Sequence, residues 1–299
     1  MNRSWFLLAA FCWMVACAKP KNAIVIQTDF GLKDGAVNAM KGVAYGVDPN
    51  IQIFDLTHEI PAYDVWEASY RLYQSASFWP AGTVFVSVVD PGVGTDRRSI
   101  VAKSKTGHYF VTPDNGTLTL LADQFGIDAV REIDEKTNRR TGSDSSYTFH
   151  GRDVYVYTAA RLASGKISFE DVGPELKKNI VTLEYQKPLL FEENHLDGNI
   201  PILDVQYGNV WTNIPDTLFK KLGATYGDTV IVNIYKRGAV VKRSWSMPFV
   251  KTFGDVDEGK PLAYINSLGN FSVALNKANF ADSFQIKSGK DWNVEITKK

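Results

Sequence analysis

The texture of the chain changes once, near residue 190, and that change limits the folds open to it. From Ala23 to about Val181, β-branched apolar segments such as AIVIQTDF, IQIFDLT and TVFVSVVD alternate with segments of helical spacing, Asp34 to Val47 and Asp64 to Ser77. Strands interleaved with 3.6-period helices indicate an α/β domain built on a largely parallel sheet. After FEENHLDGN the helices fade and short strands separated by turns take over: IPILDVQYGNVWTNI, TVIVNIYKRGAVVKRSW, PLAYINS, FSVAL, FQIK and WNVEIT. Only Pro215 to Leu222 keeps a helical character there. A smaller C-terminal β-barrel or sandwich is expected, with the boundary between Leu189 and Gly198. The expected division is residues 1–21 as leader and tether, 22–190 as the α/β domain and 191–299 as the β-barrel domain.

The leader MNRSWFLLAAFCWMVAC has one positive charge, Arg3, followed by a charge-free apolar run. It is too short for a comfortable membrane span and reads as a signal peptide. MVAC resembles the lipobox of bacterial lipoproteins, although Met14 stands where leucine is usual. Cys17, at the switch to the polar AKPKN, is therefore the expected lipidation site, which places the mature chain at the bacterial cell envelope by a lipid anchor alone. Cys12 leaves with the leader, so the two cysteines of the chain leave none for a disulfide. The 33 basic residues balance the 33 acidic ones without a basic block, which argues against nucleic acid and for a small-molecule partner.

Three expected strands end in a carboxylate, Asp29, Asp55 and Asp90. Open α/β sheets bind ligands outside the carboxyl ends of their strands, so these residues mark one rim. Asp55 reads as a turn cap. Asp29 is different, because Asp34 already serves the following helix and leaves Asp29 to accept from the two hydroxyls of a ribose. The glycine-rich DPGVGT lacks a P-loop lysine and reads as a turn at the rim. Asp64 and Glu67 have the spacing of an N-cap and its capping-box partner. Arg71 lies on the same face and leans back toward the rim. His150, in TFHGRDVY, is either a hydrogen-bonded structural ring or a reactive one. In the C-terminal half DVQYGNVWTNI groups Asp204, Tyr207, Asn209 and Trp211, an aromatic and amide mixture suited to a purine, though core packing explains Trp211 equally well. INSLGNFS adds Ser267. The four histidines show no paired spacing, so no metal is expected.

TDFGLKDG, DLTHEIPAYDV, VVDPGVGT, PDNGTL, FHGRDV, GNVWTNI and INSLGNFS follow in this order along nearly all of the chain after residue 22. The set resembles the S-adenosyl-L-methionine hydroxide adenosyltransferases, relatives of the fluorinase and chlorinase. The resemblance implies a homotrimer that binds S-adenosyl-L-methionine between the N-terminal domain of one subunit and the C-terminal domain of the next. It also implies an Asp64, Arg71 and His150 triad around the attacking water. Asp29 then holds the ribose, Tyr63 packs near the sugar, Asn209 binds the adenine edge and Phe253 stacks on its ring. Asp204 and Ser267 hold the methionine end. Hydrolysis to adenosine and L-methionine without a cofactor is the implied reaction. The halogenases differ by an arginine after that serine, where this chain has Leu268, and by a long loop for which there is no room before SKTGHYF. A halogenase and an adenosine-binding lipoprotein without turnover are the competing readings.

Overall fold

The computed structural model describes residues 22–177, 179–191, 194–239 and 243–299. The leader and Cys17 lie outside the described residues, and no helix among those described is long and apolar enough to cross a membrane.

The N-terminal half runs β1 (Ile24–Thr28), α1 (Ala36–Val47), β2 (Ile53–Thr57), α2 (Val65–Ala76), β3 (Val84–Val88), β4 (Ser99–Ser104), β5 (Tyr109–Pro113), α3 (Thr119–Phe125), β6 (Ile127–Glu132), α4 (Glu135–Asn138), α5 (Val156–Ala163) and β7 (Glu175–Leu176). Its seven strands form one sheet in the order β2-β1-β3-β5-β4-β6-β7. β2, β1, β3 and β5 are mutually parallel, whereas β4 pairs antiparallel with both β5 and β6, and β6 with β7. The sheet is thus mixed rather than largely parallel. The reason is a connection length: residues 105–108 join β4 to β5, far too few for the crossover that a parallel neighbour requires.

β1 and β3 are buried on both faces, which is why they read as unbroken apolar runs. Ile24, Ile26, Val84 and Val86 pack with Met40 and Ala44 of α1 and with Val156 and Ala159 of α5. Val25 and Phe85 face the other way, onto Leu72 and Ala76 of α2 and Leu121 of α3. Helices therefore cover both faces and leave the carboxyl ends of the parallel strands as the accessible rim.

The C-terminal half contains β8 (Leu189–Phe191), β9 (His195–Asn199), β10 (Ile202–Leu203), β11 (Val210–Pro215), β12 (Thr229–Lys236), β13 (Arg243–Pro248), β14 (Pro261–Ile265), β15 (Asn270–Leu275) and β16 (Trp292–Lys298). They make two antiparallel sheets, β10-β11-β15-β14 and β13-β12-β16-β9-β8. No closed barrel is formed among the described strands, so the expected barrel is seen here as two sheets around a common core. Strict alternation in β12 sends Val230, Val232 and Ile234 into that core, where they join Ile214, Phe271, Val273 and Ile296. The helix expected at Pro215 to Leu222 is present as Asp216–Phe219 and a 3₁₀ turn, Lys220–Leu222. FQIK is not a strand: Asn279 caps a short helix, Phe280–Phe284, by accepting from the Asp282 N–H, and Gln285 ends it at φ 53°. The halves meet where the Trp66 indole donates to the Pro201 carbonyl at 2.9 Å, beside Tyr70, Leu120 and Ile202.

Candidate functional site

A pocket of about 290 Å³ opens at the rim, lined by Asp29 and Phe30 after β1, Tyr63 before α2, Val88 and Asp90 at the end of β3, and Phe149, His150 and Gly151. Two glycines make the closing loops possible. Gly94, at φ 78°, passes so close to the Tyr147 carbonyl that a Cβ there would lie 2.9 Å from its oxygen. A Cβ on Gly151 would stand 3.1 Å from Val88, so glycine lets the FHGRD turn press on the sheet. That turn continues as a π-helical turn, Gly151–Tyr155, into α5, a departure from regular helix that recurs at functional sites.

Asp29 Oδ2 accepts the Tyr63 N–H at 2.8 Å, as expected for a residue freed from capping: Asp34, through Ala36 N–H at 2.9 Å, serves α1. Tyr63 holds a left-handed φ of 69°, a conformation that costs a non-glycine residue on the order of 1 kcal/mol or more. The Asp29 contact and the turn into α2 hold it there, with its ring exposed.

The histidines separate by how their rings are used. His58 has Thr28 on Nδ1 and Asp55 on Nε2, and His108 has Thr106 on Nδ1 and the Trp79 carbonyl on Nε2. Both are satisfied structural rings. Asp55 binds His58 and Lys41 and does not line the pocket. His150 is 7% exposed, its Nε2 lies 3.2 Å from Arg139 Nη2, and its Nδ1 has no partner among the described residues. Burial lowers its pKa below the ordinary 6.5; Glu135 opposes this, and Arg139 and Arg97 reinforce it. The ring is therefore neutral at neutral pH.

Asp90 was read from the sequence only as a rim marker before a turn, and its buried partners were not foreseen. Its side chain is 5% exposed. Oδ2 is held by Arg97 at 2.7 Å and by the Tyr155 hydroxyl at 3.2 Å, while Oδ1 has no partner among the described residues. Burial raises its pKa, with Arg97 the largest opposing influence. The available signal was a carboxylate at a parallel strand's end, but Arg97 and Tyr155 reach it only through the fold.

Neither Asp64 nor Arg71 lines the pocket that holds His150. Asp64 caps α2 by accepting the Glu67 N–H at 2.8 Å. Glu67 does not complete a capping box; its carboxylate takes the Arg71 guanidinium at 2.7 Å, and Gln74 takes another Arg71 N–H at 3.0 Å. Arg71 does lean back along the helix, but stops one turn short of Asp64.

The C-terminal residues converge in a larger recess of about 1210 Å³, whose lining includes Asp204, Tyr207, Asn209, Phe253 and Ser267. Asn209 donates to Asp204 at 3.3 Å, and Gly208 lets this loop touch Asn279, where a Cβ would collide at 1.8 Å. Phe253 packs against Tyr264 with ring centroids 5.0 Å apart. Leu268 turns away to the apolar cluster between the halves. This recess shares no lining residue with the N-terminal pocket. One group of metal-type donors escaped the sequence because Glu295 is distant along the chain: His195, Asp197 and Glu295 have ligand atoms within 4.8 Å of one another, on β9 and β16. His195 pairs with Asp197 at 2.8 Å, and none of the three lines either recess.

Comparison with known proteins covers both halves. A relative named (R)-S-adenosyl-L-methionine hydrolase, from Salinispora tropica, is 36% identical over 273 residues, 90% of this chain and 96% of its own. One of the same name from Methanocaldococcus jannaschii is 32% identical over 281 residues, 91% of this chain and 92% of its own. A fluorinase from Nocardia brasiliensis is 29% identical over 297 residues, 91% of this chain and 96% of its own. A solved structure of an uncharacterized conserved protein from Thermotoga maritima superposes with a TM-score of 0.82 at 36% identity, covering 92% of this chain and 99% of that one. Residues 24–173 match the SAM hydroxide adenosyltransferase N-terminal domain and residues 198–293 the C-terminal domain of the same family, so the chain belongs to the SAM hydroxide adenosyltransferases.

Proposed function

We propose that this protein hydrolyses S-adenosyl-L-methionine to adenosine and L-methionine. The observation that carries the reading is His150, which lines the same pocket as Asp29 and has a buried Nδ1 with no partner among the described residues, within a chain of this family. In this reading Asp29 accepts from the ribose hydroxyls and Tyr63 packs near the sugar. Asn209 takes the adenine edge, Phe253 stacks on its ring with Tyr207 alongside, and Asp204 and Ser267 hold the methionine end. A water oxygen bonds to C5′ as the C5′–S bond breaks, and its electron pair leaves with sulfur. Methionine departs as a neutral thioether, so the leaving group needs no acid. His150 orients the water and Arg71 contributes positive charge beside it. To reach the reacting centre Arg71 exchanges its present partners, Glu67 and Gln74. Neither step draws on a cofactor.

The separation of the two recesses supports a site that joins the pocket of one subunit to the recess of the next, in the homotrimer that the family resemblance implies. The relatives named for the (R) form direct us to the (R) sulfonium epimer as preferred substrate. The test is turnover of each epimer in oxygen-18 water: adenosine labelled at its 5′-hydroxyl is expected, with no 5′-halo product when chloride or fluoride is added. Binding without adenosine release would sink the hydrolase in favour of a binding lipoprotein, and a 5′-halo product in favour of a halogenase. We also propose that Cys17 carries a lipid that holds the mature protein at the cell envelope. Cys17→Ala should then leave the membrane fraction; persistence there defeats the anchor.

A further inference from the structure

We infer that Asp90 is a further catalytic residue: its Oδ1 takes the proton of the attacking water, while His150 Nδ1–H donates to that water's oxygen and aims it. The inference rests on the hydrolase reading above and assigns a proton acceptor which that reading leaves open.

The hydrogen-bond chemistry of His150 comes first. Arginine has donors only, so the Arg139 N–H at 3.2 Å requires a lone pair on His150 Nε2. A neutral imidazole with its lone pair on Nε2 carries its proton on Nδ1. The remaining ring nitrogen of His150 is therefore a donor and not a base. Glu135 fixes this choice from behind, since its carboxylate holds the Arg139 guanidinium against the ring.

A water activated at this site needs an acceptor as well as a donor, and Asp90 supplies it in the same pocket. Its side chain is more than nine-tenths buried, and Arg97 and Tyr155 hold Oδ2 so that the carboxylate cannot swing. Oδ1 is left without a partner among the described residues, as is His150 Nδ1, and the two residues are close enough to influence each other's charge. An orphaned acceptor and an orphaned donor beside one pocket match the needs of one water. The burial that lifts Asp90 above the ordinary carboxylate range also makes it a stronger base, with Arg97, Tyr155 and the Gly92 N–H limiting the rise. In the step itself the O–C5′ bond forms, the C5′–S bond breaks with its electrons going to sulfur, and the water proton passes to Asp90 and then to solvent. Asp29, the other carboxylate of the pocket, is engaged by the Tyr63 N–H on one oxygen.

The test joins kinetics to a readout independent of turnover. Asp90→Asn keeps the shape and removes the base; kcat should fall by a factor on the order of 10²–10⁴ while KM moves less than about threefold. The acid limb of the wild-type kcat/KM profile, set by protonation of Asp90, should vanish in the variant. In the unaltered protein, nitrogen-15 NMR of labelled histidine should show His150 protonated on Nδ1 and bare on Nε2. Wild-type turnover in a folded Asp90→Asn, or a proton on Nε2 in the unaltered protein, would overturn the assignment. Should the unaltered protein release no adenosine, the hydrolase reading itself fails, and the NMR tautomer still decides the geometry on which the Asp90 assignment stands.

Discussion

The N-terminal pocket and the C-terminal recess differ in what each holds fixed. The first is small, and its polar atoms are locked from behind: Asp29 by Tyr63, Asp90 by Arg97 and Tyr155, His150 by Arg139. The second has roughly four times the volume and presents aromatic faces and amides, with Tyr207 well exposed and Phe253 at its edge. Locked, desolvated groups suit chemistry, because their orientation is settled before the substrate arrives. A broad aromatic recess suits recognition, because stacking tolerates small displacements. In kinetic terms, damage to the pocket should appear in kcat and damage to the recess in KM.

The largest effect that would test this contrast is His150→Ala, which should lower turnover by a factor on the order of 10²–10⁴ with little change in substrate affinity. Stopped assays of adenosine release give both quantities; wild-type turnover would make the ring merely structural, like His58 and His108. Next in size is Phe253→Ala. Loss of one base-stacking face costs about 1–3 kcal/mol, so KM should rise roughly 5- to 150-fold while kcat stays close to wild type. A fall in kcat alone would erase the division of labour.

The proposed sharing of each site between two subunits predicts complementation. Asp29→Ala and Asn209→Ala should each be poorly active, yet mixing them by co-expression should leave about one site in four with two intact halves, if the sites lie between symmetric neighbours. No recovery, or a monomer with full activity, would put both halves of a site on one chain. The smallest effect concerns stability. Burial holds His150 below 6.5, so as pH falls from 6.5 the unfolded chain takes up its proton first and the folded state loses stability. Thermal melts of the unaltered protein should show this loss, and His150→Gln should reduce it; an unchanged acid slope in the variant would assign it to other groups.

Much of the first recess was legible because its residues stand at points where period and chemistry conflict. Asp29 ends an apolar strand while Asp34 already serves the next helix, and a carboxylate so placed has to face the rim. The contents of the second recess were legible as composition, an aromatic and amide cluster in DVQYGNVW. Its shape was not, because it depends on Asn279 and Gly208 meeting across a long separation in the chain. The mixed sheet was missed because period-two patterning reports burial and not strand direction. Arg71 was placed on the correct helix face, but its capture by the near carboxylate of Glu67 at i−4 was not read from the spacing.

By itself the sequence determined the split into an α/β half and a β half, the order of the family motifs and the candidates for ribose, base and water. Those features are local, written in spacing, turn chemistry and side-chain type. Only the tertiary structure decided which His150 nitrogen meets Arg139, that one Asp90 oxygen has no partner among the described residues, and that the two recesses of one chain share no lining residue. Those facts depend on contacts such as Arg139 with His150 and Tyr155 with Asp90, where packing brings together groups that no sequence period relates.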